Sequence, residues 1–84
     1  MSYQVLIKRS AEKELDALPA SVRGRITKRL LALEENPRPF DIKKLHGQEG
    51  YRLRVGDYRV LFTIDDSTKT VMTYAIGHRR QIYR

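Results

Sequence analysis

Residues 51–64 alternate apolar and polar side chains around a short turn, and this pattern constrains the fold more than any other feature of the sequence. The apolar positions are Tyr51, Leu53 and Val55 before the turn and Tyr58, Val60, Phe62 and Ile64 after it. Gly56-Asp57 fits a two-residue hairpin turn with glycine first. The pattern therefore predicts a β-hairpin with a fixed register, in which Arg54 lies directly opposite Arg59.

The residues before this hairpin predict one strand and two helices. Residues 3–8 are rich in aliphatic side chains and predict a strand that is buried on both faces. Ser10 offers an N-cap hydroxyl, and Glu12 and Glu14 suit the first turn of a short helix that ends before Pro19. A longer helix follows and stops at Asn36-Pro37. Its apolar stripe consists of Val22, Ile26, Leu30 and Leu33.

The residues around and after the hairpin complete an α+β pattern. Residues 36–47 form a connection that leads into the hairpin, and residues 65–69 form a second turn. Residues 70–77 predict a last strand with Met72, Tyr74 and Ile76 on one face. The order strand, helix, helix and three strands predicts a single domain over residues 1–84. We expect a two-helix hairpin packed on a mostly antiparallel four-stranded sheet.

The charge of the chain indicates a polyanionic partner. Seventeen Lys and Arg face ten Asp and Glu over 84 residues, which gives a formal net charge of +7. Nucleic acid fits this charge better than a membrane, because neither helix combines a basic face with the exposed apolar side chains that interfacial binding needs. No cysteine is present, and the N-terminus lacks an apolar run long enough for a signal peptide or a spanning helix. We expect a cytoplasmic protein without a membrane partner.

The predicted Arg54–Arg59 pair suggests an anion-binding site. Like charges directly opposite each other in a sheet are destabilising by up to about 1 kcal/mol, and an anion between them reverses the sign. Arg52 lies two residues from Arg54 and therefore on the same face. A phosphodiester backbone fits such a strip. The alternative is a solvated sheet face that carries charge only for solubility.

The C-terminal residues add candidate chemistry just after the last strand. Arg79 is suited to bind a phosphate bidentately, Tyr83 to stack on a base or donate a proton, and His78 to titrate near neutral pH. The alternatives are a packed C-terminal aromatic for Tyr83 and a surface residue for His78. The acidic residues do not cluster in strands, and His46 and His78 lack the spacing of metal ligands. RNA carries its own nucleophile, the 2′-hydroxyl, so neither a metal nor a cofactor is expected.

Two motif regions, KKLHGQEGYRLRVGDYRVLF and GHRRQIYR, resemble the RelE family within the RelE/ParE toxin superfamily, and the resemblance covers the whole chain. It implies a RelE-like fold and a toxin of a type II toxin-antitoxin system. The implied activity is that of an endoribonuclease that cuts mRNA, in this family on the ribosome, and inhibits translation. It also implies a small RelB-like antitoxin as partner, in addition to mRNA and the ribosome.

The residues that match the family's functional positions are Arg52, Arg54, Arg59, Arg79 and Tyr83. We expect the catalytic set to be Arg54, Arg59, Arg79, Tyr83 and His78. We expect the RNA phosphates to be bound by Lys43, Lys44, Arg52 and Arg80. Arginines stand where the best-known member has lysines, and a guanidinium with a pKa above about 12 is a poor general base. The proton acceptor is therefore left open among His78, Lys44, His46 and Tyr83.

Two other functions remain compatible with the sequence. A ParE-like toxin shares the fold but poisons DNA gyrase, and it would not need Arg59 or Tyr83. A non-catalytic RNA-binding module would use the same arginines only to hold the RNA backbone. The convergence of several possible phosphate ligands favours the nuclease over both.

Overall fold

A computed structural model describes residues 2–80 and shows two helices and one five-stranded sheet. The elements are β1 (Gln4–Ile7), α1 (Arg9–Asp16), α2 (Ala20–Ala32), β2 (Lys43–Lys44), β3 (Tyr51–Val55), β4 (Tyr58–Asp65) and β5 (Thr70–His78). The sheet order is β1-β5-β4-β3-β2. β1 runs parallel to β5, and every other neighbouring pair is antiparallel. The predicted α+β class is confirmed.

The sheet has one strand more than the sequence predicts. Lys43 and Lys44, which we expected in the connection before the hairpin, form the short edge strand β2 and pair with Arg52 and Tyr51. Two residues are too few to show the period-two pattern by which a strand is recognised in a sequence.

The helices cover one face of the sheet, and the core lies between them. The predicted stripe of α2 is confirmed, because Ile26, Leu30 and Leu33 are buried and Val22 packs beside them. The sheet contributes the predicted apolar positions of the hairpin, with Leu53, Val60 and Phe62 shielded from solvent. These side chains form one continuous apolar cluster. The fold therefore rests on the helix-covered face of the sheet.

The helix starts differ from the prediction. α1 begins at Arg9, its N-cap position is Lys8, and no side chain caps it, so Ser10 lies inside the helix. Glu14 does not serve the first turn either. Its carboxylate accepts a hydrogen bond of 3.0 Å from the backbone N–H of Ile76. The parallel ladder of β1 ends with Ile7 opposite Thr73, so Glu14 satisfies a β5 donor beyond the end of that ladder.

Two strand faces also differ from the prediction. β1 is an edge strand with alternating exposed and half-buried residues, so it is not buried on both faces. In β5, Val71 and Thr73 are fully buried, whereas Met72 is only half-buried. A register shift at Leu61/Phe62 pairs those two residues with Ala75 and Thr73 and leaves one extra residue in β5. This bulge changes which face the strand presents and separates Met72 from Ile76.

An ion pair joins the connection after α2 to the β4–β5 turn. The guanidinium of Arg38 donates two hydrogen bonds, of 3.0 and 2.9 Å, to the carboxylate of Asp66. The hydroxyl of Tyr3 donates a third, of 2.6 Å, to the same carboxylate. These bonds lower the pKa of Asp66 from 3.8 to about 2, with Arg38 as the largest cause.

Candidate nucleic-acid interface

The hairpin between β3 and β4 positions the candidate site. Gly56 has a φ of +59°, which a glycine adopts without strain and which the first residue of a type II′ turn requires. The turn fixes the predicted register, with Val55 opposite Tyr58 and Arg54 opposite Arg59. The juxtaposition of two arginines that the sequence predicts is therefore present in the fold.

Arg52, Arg54 and Arg59 lie on the face of the sheet that the helices leave open, and we call these three residues the arginine strip. Leu53 and Val60, which form the neighbouring pair of the ladder, point into the core on the other face. Lys43 pairs with Arg52 and extends the positive charge to the edge of the sheet. The strip thus crosses two strands and reaches a third.

The three arginines of the strip differ in exposure. Arg54 is exposed and Arg52 is half-buried, whereas Arg59 is only 7% exposed. Two nitrogens of the Arg59 guanidinium, Nε and Nη1, are buried and have no hydrogen-bond partner in the described part of the chain. Burying an unpaired charged group is costly, so such a group in a folded protein requires an explanation. The interpretation of this face as merely solvated charge does not hold for Arg59.

Apolar surroundings contribute to the burial of Arg59. Leu61 follows it on the same face and is 3% exposed, yet it does not belong to the helix-side core. Gly77 lies opposite Arg59 on β5 and contributes no side chain. Sequence reasoning missed Leu61, although its position two residues after Arg59 places it on the arginine face. A buried leucine beside a buried arginine lowers the polarity around the guanidinium, which strengthens its attraction to an anion.

No acidic residue in the described part of the chain pairs with the strip. The ion pairs found within residues 2–80 are Arg29–Asp41 and Arg38–Asp66. Both lie outside the arginine strip. The positive charge of the strip is therefore not neutralised by an ion pair within residues 2–80.

The predicted phosphate ligands of β2 lie at the sheet edge. Lys43 and Lys44 are both exposed. Together with His46 and Arg52 they border an open cavity of about 440 Å³. His46, one of the candidates for the general base, is thus on the side of the molecule that carries the strip.

His78 lies away from the strip. It pairs with Tyr58, whose ring packs against the helix-side core. The two rings meet edge to face, with their centroids 5.6 Å apart. The His78 Nδ1 atom accepts a hydrogen bond of 3.3 Å from the backbone N–H of Arg80. The structure therefore does not bring His78 together with Arg54 and Arg59.

The remaining C-terminal candidates lie just beyond β5. The backbone N–H of Arg79 donates to the carbonyl oxygen of Asp57 at 2.9 Å and continues the β4–β5 ladder. Arg79 follows Gly77 by two residues, and residues two apart along a strand lie on the same face of the sheet. Arg79 and Arg80 are exposed. Tyr83 lies outside the described residues.

Two further features concern metals and membranes. Among residues 2–80, no three His, Asp or Glu side chains come close enough together to hold a metal ion. No helix in that part of the chain is long and apolar enough to cross a membrane.

Comparison with known proteins identifies relatives that share this fold along nearly the whole chain. A family profile described as the ParE toxin of the type II toxin-antitoxin system parDE matches residues 5–83. Toxin RelE3 of Methanocaldococcus jannaschii is 34% identical over 88 residues, covering 95% of this chain and 94% of that protein.

Solved structures also match this chain over nearly its whole length. The archaeal RelE–RelB complex from Pyrococcus horikoshii matches with a TM-score of 0.83 and 32% identity, over 96% of this chain and 99% of that one. The intact RelBE toxin-antitoxin complex of E. coli matches with a TM-score of 0.80 and 26% identity, over 92% and 96% of the two chains. The family profile, the curated relatives and the solved structures agree: the chain belongs to the ParE toxin family of type II toxin-antitoxin systems and is a RelE-type toxin.

Proposed function

We propose that this toxin is a metal-independent endoribonuclease that cuts mRNA on the ribosome and thereby inhibits translation. The observation that carries the proposal is the Arg54–Arg59 pair, in which a buried guanidinium whose Nε and Nη1 have no hydrogen-bond partner within residues 2–80 lies opposite a second, exposed arginine. An RNA phosphate between the two would convert a repulsive pair into two charge-assisted contacts.

The strip supplies the electrostatic part of RNA cleavage. The 2′-hydroxyl of the RNA loses its proton and its oxygen attacks the adjacent phosphorus, while the bond from phosphorus to the 5′-oxygen of the next nucleotide breaks and that oxygen takes up a proton. The products are a 2′,3′-cyclic phosphate and a 5′-hydroxyl, and negative charge grows on the phosphorane oxygens as the transition state forms. Arg54 and Arg59 would bind those oxygens, and their fixed positions across a hairpin reduce the reorganisation needed during the reaction. Because Nε and Nη1 of Arg59 are closed to solvent, the phosphate reaches them only after the groups that cover them have moved.

Proton transfer is the step for which the strip itself is poorly suited. The neighbours of Arg59 on its own face are Arg54, Gly77 and Leu61, and none of these accepts a proton at neutral pH. His78 packs on the opposite face. We therefore propose that ribosomal RNA assists the proton transfers, together with Tyr83 of the toxin, while Arg79 binds a phosphate oxygen. Cleavage would then depend on the ribosome, and we propose the cytoplasm as the place of the reaction.

An antitoxin is the proposed inhibitor. The related toxins from P. horikoshii and E. coli were solved as complexes with RelB. This chain carries a net charge of +7 and exposes Leu31 and Phe40, the latter completely. A small RelB-like protein with acidic and apolar side chains would complement both features.

The test is to express the toxin from a tightly repressed promoter and map the 5′ ends of mRNA with and without ongoing translation. The variants are Arg59→Ala and Tyr83→Phe, with Arg9→Ala as the matched control, because Arg9 is exposed at the start of α1. We expect translation-dependent cuts in the wild type and in Arg9→Ala, and a loss of about 100-fold or more in Arg59→Ala.

Other outcomes identify other functions. Growth arrest with intact mRNA would overturn the nuclease proposal and indicate a gyrase poison. RNA binding without cleavage or growth arrest would indicate a non-catalytic binding module. Cuts that appear equally on naked RNA would contradict the proposed role of the ribosome.

A further inference from the structure

The cavity beside the arginine strip has a composition that a phosphate site alone does not need. Its volume is about 440 Å³, within the range of roughly 300–1,000 Å³ typical of small-ligand sites. The lining residues are Lys43, Lys44, Leu45, His46, Gln48 and Arg52. Three cations therefore share the cavity with an aliphatic side chain, an imidazole ring and an amide.

The walls of the cavity are held in one arrangement by backbone contacts. β2 and β3 pair at Lys43–Arg52 and Lys44–Tyr51. At the base of the loop that joins them, the N–H of Leu45 donates to the carbonyl oxygen of Gly50 at 3.0 Å. Gly50 is buried and has a φ of +124°, and a Cβ atom there would come within 2.9 Å of the Phe62 carbonyl oxygen. A glycine is required at this position, and the loop is consequently pre-organised.

The cavity is continuous with the arginine strip. Arg52 belongs to both, and Arg54 follows it by two residues on the same face, a step of about 6.7 Å along the strand. A single strand of RNA whose phosphate lies between Arg54 and Arg59 would therefore place a neighbouring nucleotide near Arg52. The cavity lies on the β2 side of that position.

We propose that the cavity binds the nucleotide next to the scissile phosphate and discriminates among its possible bases. Lys43 and Arg52 would contact the phosphate of this nucleotide. Leu45 and His46 would provide surfaces for the base, and the Gln48 amide, which both donates and accepts, would hydrogen-bond to its edge. The toxin would then contribute its own base preference to the choice of cleavage site. This inference rests on the proposed function only for the identity of the RNA strand.

The test uses the purified toxin and follows its backbone amide signals by NMR during titration. The probes are the four nucleoside monophosphates and inorganic phosphate. We expect one nucleotide to shift the signals of residues 43–52 and to bind about fivefold or more tightly than the other three and than phosphate. Gln48→Ala should remove that preference. Gln4→Ala, which changes an exposed glutamine at the opposite edge of the sheet, should keep it.

The possible failures are distinguishable from failure of the nuclease proposal. Equal binding of all four nucleotides and phosphate, or an absence of shifts at residues 43–52, would overturn the base-reading cavity whether or not the toxin cuts RNA. Selective binding that is lost in Gln48→Ala would support base recognition by the cavity, even if mapping of 5′ ends showed no cleavage. That absence of cleavage would contradict only the proposal that the toxin is a nuclease.

Discussion

Alternate residue pairs along the β3–β4 hairpin point to opposite faces of the sheet, and the two faces differ in whether their cross-strand pairs stabilise the fold. On the helix side, Leu53 faces Val60 and both are fully buried in the core. On the other side, the next rung joins Arg54 to Arg59, two like charges of which one is buried. A one-residue step along the strand thus separates a stabilising pair from a destabilising one.

The contrast indicates that the open face is maintained at a cost in stability. Hydrophobic burial on the helix side provides the free energy of folding, and the arginine strip consumes part of it. Arg38 shows what an arginine of this protein does when a partner is present, since Asp66 binds it through two hydrogen bonds. Arg59 has no acidic partner among residues 2–80, and this distinguishes it from Arg38.

The largest expected effect is on the helix side. Phe62→Ala removes a ring that is fully buried and should lower the free energy of unfolding by about 3–5 kcal/mol, because a cavity remains in the core. Urea denaturation of the purified protein measures this change. A loss below about 1 kcal/mol would show that the helix-covered face is not the source of stability.

Arg59→Met should raise the free energy of unfolding, whereas Phe62→Ala lowers it. Replacing the buried guanidinium by an apolar side chain of similar length removes its desolvation cost and its repulsion with Arg54. The free energy of unfolding should rise by about 1–3 kcal/mol, while RNA cleavage should be lost. The control is Arg54→Met at the exposed partner, where relief of repulsion alone should contribute at most about 1 kcal/mol. Destabilisation by Arg59→Met would refute the stability cost of the open face.

The smallest expected change in stability comes from the ion pair between Arg38 and Asp66, and it is measurable only at acidic pH. The folded-state pKa of Asp66 is about 2, below its usual value of 3.8. Its contribution to stability is therefore present above pH 3.8 and is lost as the pH falls from 3.8 towards 2. Asp66→Asn should make the urea midpoint less dependent on pH in this window. Asp16→Asn, at the exposed end of α1, should leave the acid dependence of the wild type unchanged.

The sequence predicts the hairpin well, since a two-residue turn and period-two alternation determine the register of Arg54 and Arg59. It predicts exposure poorly on the open face, because the burial of Arg59 and Leu61 depends on what covers the sheet. The position of His78 was predictable in part: it follows Ile76 by two residues, and Ile76 lies in the core. The bulge in β5 and the two-residue strand β2 were not, because both depend on pairing between strands.

The parallel pairing of β1 with β5 has a consequence for synthesis of the toxin. Gln4 pairs with Thr70, so β1 has no partner in the sheet until β5 has been synthesised and has left the ribosome. Contacts this distant in sequence close late in folding. A nascent or prematurely terminated chain therefore lacks the completed sheet that supports the arginine strip. The sheet that supports the arginine strip is therefore complete only after β5 has paired with β1.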